Sequence, residues 1–151
     1  MLRYQTTALY DVPAEIIFPI LADFSRMNQW NPNVRSSTVI SGEPLQVGTE
    51  VRCVLRWPYP PGTVLQARLD AVDPPHRVTY HERTTLGPFK LGEAKDQLTL
   101  KERSDGTLVT FKTEAKLHSV FRVAELVPLT FYERQLERIA EGLRTLLDTA
   151  S

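Results

Sequence analysis

The sequence predicts an α+β fold in which a curved antiparallel sheet of six or seven strands surrounds one long C-terminal helix. Three observations support this prediction. Short segments rich in β-branched and aromatic residues fill the middle of the chain and are separated by turn residues. After Pro128 the hydrophobic pattern changes to the period of a helix. No internal repeat or linker divides the chain, so residues 1–151 are expected to form a single domain with one core.

The amino-terminal region predicts one strand followed by two short helices. Residues 4–10 alternate in character and predict the first strand. A helix is expected to begin near Pro13, because proline suits the first turn, and Pro19 is expected to kink or shorten that helix. Residues 25–30 predict the second short helix, which ends at the Asn31-Pro32-Asn33 sequence.

The middle of the chain predicts the remaining strands of the sheet. Each is bounded by residues typical of turns, and Ser104-Asp105-Gly106 is the clearest hairpin signal. In one of these strands Leu65, Ala67, Leu69 and Ala71 share a face, which is therefore expected to point into the core. The predicted strands are residues 34–41, 49–57, 63–72, 77–83, 92–102 and 107–117.

The last part of the chain predicts a long amphipathic helix over residues 129–149. At the helical rise per residue this segment is about 30 Å long, enough to cross a whole sheet. Residues 120–127 are expected to form a short helical approach that Pro128 interrupts. The apolar face of the long helix carries Leu129, Tyr132, Leu136, Ile139, Leu143 and Leu146.

The charge balance argues against a nucleic-acid-binding protein. The chain has 18 Lys and Arg and 18 Asp and Glu residues, so its formal net charge is zero. Its single cysteine, Cys53, excludes an internal disulfide and is interpreted as a small core residue. A signal-peptide pattern and an apolar run of the ~20 residues that a membrane span requires are both absent from the sequence. We therefore expect a cytoplasmic protein, monomeric or homodimeric, without stable membrane insertion.

The predicted elements imply an interior cavity. A sheet of six or seven strands twists and curls, and one straight helix cannot fill the concave face of a curled sheet. Side chains must close the remaining volume or leave it as a pocket. The sequence therefore predicts a binding site for an apolar or amphipathic small molecule between the sheet and the last helix.

Three segments near the amino terminus carry a family resemblance. Val12-Pro13-Ala14-Glu15-Ile16-Ile17-Phe18, Leu21-Ala22-Asp23 and Trp30-Asn31-Pro32 together resemble the opening signature of the START-like superfamily, also called SRPBCC or polyketide cyclase/dehydrase-like. The resemblance covers essentially the whole chain and implies a helix-grip fold with a deep apolar cavity under the C-terminal helix. It implies no single activity, because members include lipid carriers, hormone receptors and polyketide aromatase/cyclases. Further landmarks are Gly48, Val72-Asp73-Pro74-Pro75 and Asp105-Gly106-Thr107.

The candidate ligand-binding residues follow from which side chains face the predicted cavity. Trp30 is open to two interpretations, a core plug that holds the short helices on the sheet or a wall of the pocket. The other candidates lie on the inward faces of the strands or on the apolar face of the last helix. They are Tyr10, Leu55, Trp57, Leu69, Tyr80, Leu98, Phe111, Thr113, Tyr132 and Leu136.

The candidate catalytic residues are Tyr80, Glu82, Asp96 and His118. Glu82 and Asp96 share a face with apolar neighbours, so they must pair, shift their pKa values or lie at the mouth; solvent-exposed strand ends are the alternative. His118 follows the last strand, where it is either an acid–base group at the rim or an ordinary surface histidine. The histidines have no metal-binding spacing, and we expect neither a metal nor another cofactor.

Three functions fit these features. The first is binding and transport of a lipid-like, aromatic or polyketide-like molecule, supported by the apolar inward faces. The second is a metal-free cyclase, aromatase or dehydratase that moves protons within the cavity. The third is a toxin-like or chaperone-like protein that contacts a protein partner through the proline-rich loop at residues 57–61 or the charged face of the last helix. The sequence leaves all three open, in this order of preference.

Overall fold

A computed structural model describes residues 1–56, 59–118 and 126–150. Across these residues the chain forms seven strands and three α-helices, with a 3₁₀ turn at Phe24–Arg26. In chain order the elements are β1 (Leu2–Tyr10), α1 (Ala14–Ala22), α2 (Met27–Trp30), β2 (Val34–Ser41), β3 (Glu50–Leu55), β4 (Thr63–Asp73), β5 (Arg77–Leu86), β6 (Phe89–Arg103), β7 (Gly106–Leu117) and α3 (Leu129–Ala150).

The seven strands of the described residues form one antiparallel sheet in the order β1-β7-β6-β5-β4-β3-β2. The chain therefore meanders from β2 to β7 and returns to pair β7 with β1. The two short helices follow β1, and the long helix α3 is the last element. The predicted α+β architecture, with its antiparallel sheet and helical C-terminus, is confirmed.

Contacts on two sides of α3 hold it on the rest of the molecule. The Tyr10 hydroxyl at the end of β1 donates a hydrogen bond of 2.7 Å to the Ala140 carbonyl, and the Arg144 guanidinium lies 4.8 Å from the centre of the Tyr10 ring. On the other side, α3 approaches the end of α2 so closely that a Cβ at Gly142 would lie 2.0 Å from the Trp30 carbonyl oxygen. These contacts hold the middle of α3 against one end of the curved sheet.

The structure departs from the sequence prediction at three places. A bulge after Leu69 reverses the inward face of β4, so Ala71 is exposed while Val72 packs against the core. Helix α1 continues through Pro19 to Ala22. Strand β5 extends beyond its predicted end to Leu86, and strand β6 begins before its predicted start, at Phe89. Most of the predicted helical approach over residues 120–127 lies outside the described residues.

Candidate functional site

A cavity of about 520 Å³ lies between the concave face of the sheet and α3. This volume falls within the range of small-molecule sites, about 300–1,000 Å³. Strands β1 and β3 to β7 supply inward side chains to its lining, and α3 supplies Tyr132, Leu136 and Ile139. Two of the lining residues, Tyr59 and Phe131, are 38% and 47% exposed, so they mark its mouth. Most of the lining is apolar.

A row of hydrogen-bonding side chains crosses the floor of this cavity. Strand pairing places Tyr4 of β1 opposite Thr113 of β7, Thr113 opposite Asp96 of β6, and Asp96 opposite Tyr80 of β5. Glu82 lies two residues beyond Tyr80 on the same face and is therefore diagonal to Asp96. The register thus gathers two carboxyl groups, two phenols and one hydroxyl on four adjacent strands.

The two carboxyl groups lie next to each other on the cavity floor. The Thr113 hydroxyl donates a hydrogen bond of 2.5 Å to Asp96 Oδ1, while Asp96 Oδ2 is buried and receives no N–H or hydroxyl donor from the described residues. Burial first, and then the charge of Asp96, raises the pKa of Glu82 well above its usual value, and burial raises the pKa of Asp96 to about 6. The pair therefore holds protons more tightly than exposed carboxyl groups do.

The tyrosines complete the network around this pair. Burial, followed by the charge of Asp96, raises the pKa of Tyr4, and the nearby Thr113 hydroxyl opposes this rise. The ring of Tyr4 stacks on Tyr132 of α3 with 5.2 Å between centroids. A row of hydrogen-bonding side chains therefore runs from Tyr4 through Thr113 and Asp96 to Glu82, and within it Thr113 donates to Asp96.

Tyr80 and Tyr59 add two more phenols at the edges of this row. Burial and the two nearby carboxyl groups raise the pKa of Tyr80 well above its usual value, and Phe24 packs edge-on against its ring at 4.3 Å. Burial, followed by the charges of Glu82 and Asp96, raises the pKa of Tyr59 to about 12. Both phenols are therefore neutral hydrogen-bonding groups at physiological pH.

The structure brings most of the sequence-predicted site residues together. Glu82 and Asp96 lie within their strands, because β5 and β6 are longer than predicted, and so they are not at solvent-exposed ends. The predicted residues that line the cavity are Trp30, Leu55, Tyr80, Glu82, Asp96, Leu98, Phe111, Thr113, Tyr132 and Leu136.

Three predicted site residues lie elsewhere among the described residues. Tyr10 is buried where it bonds to α3, and Leu69 is buried in the core; neither lines the cavity. His118 also lies outside the lining, and its backbone N–H donates to the Leu91 carbonyl at 3.1 Å. Trp57 falls outside the described residues, as do Pro58 of the proline-rich loop and most of the segment before α3.

The sequence reasoning did not select Tyr4, Tyr59 or Phe131. Tyr4 has the same parity in β1 as Tyr10, so the alternation of the strand already indicates that the Tyr4 side chain points inward. Tyr59 lies in the turn between β3 and β4, where no periodic pattern indicates which way a side chain points. Phe131 precedes Tyr132 at the start of α3 and packs edge-on against it at 5.5 Å. The hydrophobic pattern of the predicted helix does not indicate that Phe131 lies exposed at the mouth of the cavity.

Two further properties of the described residues bear on the chemistry. No group of three or more His, Cys, Asp or Glu side chains is placed among them to hold a metal ion. None of the helices in the described parts of the chain combines the length and the hydrophobicity needed to cross a bilayer. The described residues therefore form a largely apolar cavity with two adjacent carboxyl groups on its floor.

Comparisons with known proteins agree with this architecture. The profile of the family described as "Polyketide cyclase / dehydrase and lipid transport" matches residues 1–148. The protein Mll3558 from Rhizobium loti superposes with a TM-score of 0.74 at 16% identity, with 96% of each chain covered. Ginseng major latex-like protein 151 from Panax ginseng gives a TM-score of 0.74 at 12% identity, with 95% of each chain covered.

A third similar structure is DynU16, a protein from the dynemicin biosynthetic locus. It gives a TM-score of 0.66 at 17% identity and covers 99% of this chain but only 48% of its own. No curated protein matches the sequence significantly. At these identities the structural similarities establish the fold alone.

Proposed function

Because the chain belongs to the polyketide cyclase/dehydrase and lipid transport family, we propose that it binds an amphipathic small molecule in the cavity between the sheet and α3. The observation that carries the proposal is the cavity of about 520 Å³ with its polar floor. The apolar body of the ligand lies along Leu98, Phe111, Leu136 and the other apolar side chains of the lining. Its polar group meets Glu82 on the floor.

Simple energetics support this arrangement. Burial of apolar surface contributes about 25 cal/mol per Å², so a ligand body enclosed by the apolar lining gains affinity without a specific partner. A polar group buried without a hydrogen bond opposes binding, and the floor is where partners are available. The site therefore favours molecules with one hydrogen-bonding end and one apolar end over molecules that are polar throughout.

The first test is to identify what the protein carries. Native mass spectrometry of the purified protein, followed by solvent extraction, is expected to reveal an amphipathic molecule that dissociates on denaturation. A protein that carries nothing can be tested with the neutral fluorescent probe N-phenyl-1-naphthylamine. The proposal predicts saturable binding with a blue-shifted emission.

A cavity-filling variant makes this test specific. Ala115 faces the cavity from β7, so A115W is expected to fill it and to abolish probe binding. Thr7 lies on the outer, exposed face of β1, and T7W serves as the matched control with unchanged binding. Probe binding that is the same in A115W, T7W and the unmodified protein would contradict the proposal.

The adjacent carboxyl groups favour a second candidate function, proton transfer to a carbonyl ligand in the manner of a cyclase or dehydratase. Glu82 lines the cavity diagonal to Asp96 and has a raised pKa, so it can give or take a proton at a bound carbonyl compound. The test is deuterium exchange at the carbon next to the carbonyl of a long-chain ketone, followed by NMR in D₂O. Exchange that the protein accelerates and E82Q does not would favour the enzyme; exchange equal to buffer would leave only binding.

A further inference from the structure

The arrangement of charge and aromatic rings in the cavity indicates which head group it accepts. We propose that the ligand is a cationic amphiphile, an apolar molecule with one protonated amine, and that Glu82 and Asp96 receive this amine on the cavity floor. The inference rests on the proposed function and specifies the chemical class of the ligand. It excludes fatty acids and other anionic amphiphiles.

The charged side chains of the lining support this choice. Among the described residues that line the cavity, only Glu82, Glu93, Asp96 and Lys112 carry ionisable acid or base groups of the Asp, Glu, Lys, Arg or His type. Glu93 and Lys112 occupy outward positions of β6 and β7 and are exposed, with Glu93 3.8 Å from His81 and Lys112 3.9 Å from Glu114. The described interior therefore presents two carboxyl groups and no cation.

Within the described part of the chain, the remaining titratable groups that face the pair are acids as well. Tyr4 of β1, Tyr80 of β5 and Tyr59 at the mouth are near enough for the carboxyl groups to raise their pKa values. Cys53 of β3 has its pKa raised to about 11, mainly by burial, and Tyr132 faces the cavity from α3. All of these groups are uncharged at neutral pH, so none of them compensates a carboxylate.

A protonated amine supplies the positive charge that Glu82 and Asp96 lack. The raised pKa values of Glu82 and Asp96 favour retention of a proton by the pair when no cation is present, because two adjacent negative charges shielded from water are unfavourable. When an ammonium group enters, its positive charge stabilises both carboxylates and its N–H groups donate to them. The retained proton then leaves Glu82 for solvent, so binding of one ammonium ion releases up to one proton. An anionic head group would find no cation to pair with among the described residues and would lie next to a negative charge.

The aromatic rings strengthen the preference for a cation. Tyr4, Tyr59, Tyr80 and Tyr132 all line the cavity that contains the carboxyl pair. The face of an aromatic ring attracts a cation within about 6 Å of its centroid, and the attraction grows when the site is shielded from water. Four phenol rings beside two carboxyl groups form a setting suited to an alkylammonium head and unsuited to a carboxylate or phosphate.

A matched ligand series tests the inference on the unmodified protein. Decylamine, decanol and decanoate differ in head-group charge and share one chain, and each is titrated by calorimetry at pH 7 below its aggregation concentration. We expect decylamine to bind at least about tenfold more tightly than decanol, the factor associated with a hydrogen bond to a charged group. Decanoate is expected to bind more weakly than decanol. Titration in two buffers of different ionisation enthalpy should show proton release with decylamine and none with decanol.

Variants identify the residue responsible. E82Q keeps the size of the side chain but removes its titratable proton and its charge, so proton release on decylamine binding should be lost. Only Asp96 then remains to pair with the ammonium group, so the preference for decylamine over decanol should decrease while decanol binding persists. E102Q, at the exposed end of β6, is the matched control and should keep the preference. Circular dichroism and thermal unfolding establish that each variant is folded.

The results of these titrations test the cationic head group separately from the proposed binding of an amphipathic molecule. Decanol that binds as tightly as decylamine, or decanoate that binds best, would overturn the cationic head group and leave the hydrophobic site standing. Failure of all three ligands and of the fluorescent probe would overturn both. Because the series is measured first on the unmodified protein, an unfolded E82Q variant would not rescue the inference from either result.

Discussion

Thr113 and Asp96 face each other across β7 and β6, and the Thr113 hydroxyl donates a hydrogen bond of 2.5 Å to Asp96 Oδ1 in the interior of the sheet. Tyr4 and Tyr80 continue the same row on either side. Both Thr113 and Asp96 are less than a tenth exposed. Polar residues in such a position must satisfy one another, since the surrounding apolar side chains cannot. This row is the structural basis of the cavity floor.

Replacement of Thr113 by valine tests this relationship. T113V keeps the shape of the side chain but leaves Asp96 Oδ1 without its donor, which should lower the free energy of unfolding by about 1–3 kcal/mol. Urea denaturation at pH 7 measures the change. Thr110 has the outward parity of the same strand, so T110V should stay within about 0.5 kcal/mol of the unmodified protein. Equal losses in the two variants would contradict a specific role for the Thr113–Asp96 bond.

The carboxyl pair predicts how stability depends on pH. Burial raises the pKa of both Glu82 and Asp96 in the folded state above their unfolded values, 4.5 and 3.8. Above these values the folded state binds more protons than the unfolded state, so the free energy of unfolding should decrease as the pH rises. The slope contributed by each group is at most about 1.4 kcal/mol per pH unit.

Urea unfolding between pH 5 and 8 measures this slope. E82Q removes the more strongly shifted group and should flatten the profile, whereas E102Q at the exposed end of β6 should leave it unchanged. A profile in which stability rises with pH over this range, and does so equally in E82Q, would show that the pair does not retain its proton in the folded protein.

The order of elements was predictable because each strand repeats with a period of two and α3 with a helical period. Inward parity also selected Glu82, Asp96 and Thr113 correctly as residues that face the cavity. Parity says nothing about which strand positions lie opposite each other. The pairing of Asp96 with both Thr113 and Tyr80 depends on the turns that set the register, and so the sequence did not show that these side chains form one row with Glu82.

The remaining errors have local physical causes. The bulge after Leu69 adds one residue to β4 and exposes Ala71, and no turn residue in the sequence marks it. Tyr10 and Tyr4 have the same parity, but α3 packs directly over Tyr10, whereas Tyr4 stacks on Tyr132 of α3 beside the cavity. Which end of the sheet the helix fills is decided by tertiary contacts such as that of Gly142 with Trp30.

The close approach of Gly142 to Trp30 predicts that replacing this helical glycine by alanine destabilises the protein. Alanine normally stabilises a helix relative to glycine by about 0.5–1 kcal/mol. In G142A, however, the new Cβ would lie 2.0 Å from the Trp30 carbonyl oxygen, so α3 must move away from α2. We expect a net loss of about 1–3 kcal/mol in the free energy of unfolding. T145A, at an exposed position of the same helix, should change stability by less than about 0.5 kcal/mol, and a stabilised G142A would refute the close approach.

The two tyrosines of β1 allow structural and binding roles to be separated by one substitution each. Y10F removes the hydrogen bond to the Ala140 carbonyl and should lower the free energy of unfolding by about 0.5–1.5 kcal/mol. Because Tyr10 does not line the cavity, the dissociation constant of the neutral probe should stay unchanged. Y4F removes a hydroxyl group that faces the cavity floor opposite Thr113, and it should weaken decylamine binding in addition to any effect on stability. Urea denaturation and calorimetry on the same two variants measure both quantities, and weaker ligand binding in Y10F than in Y4F would place the binding site at the wrong end of the sheet.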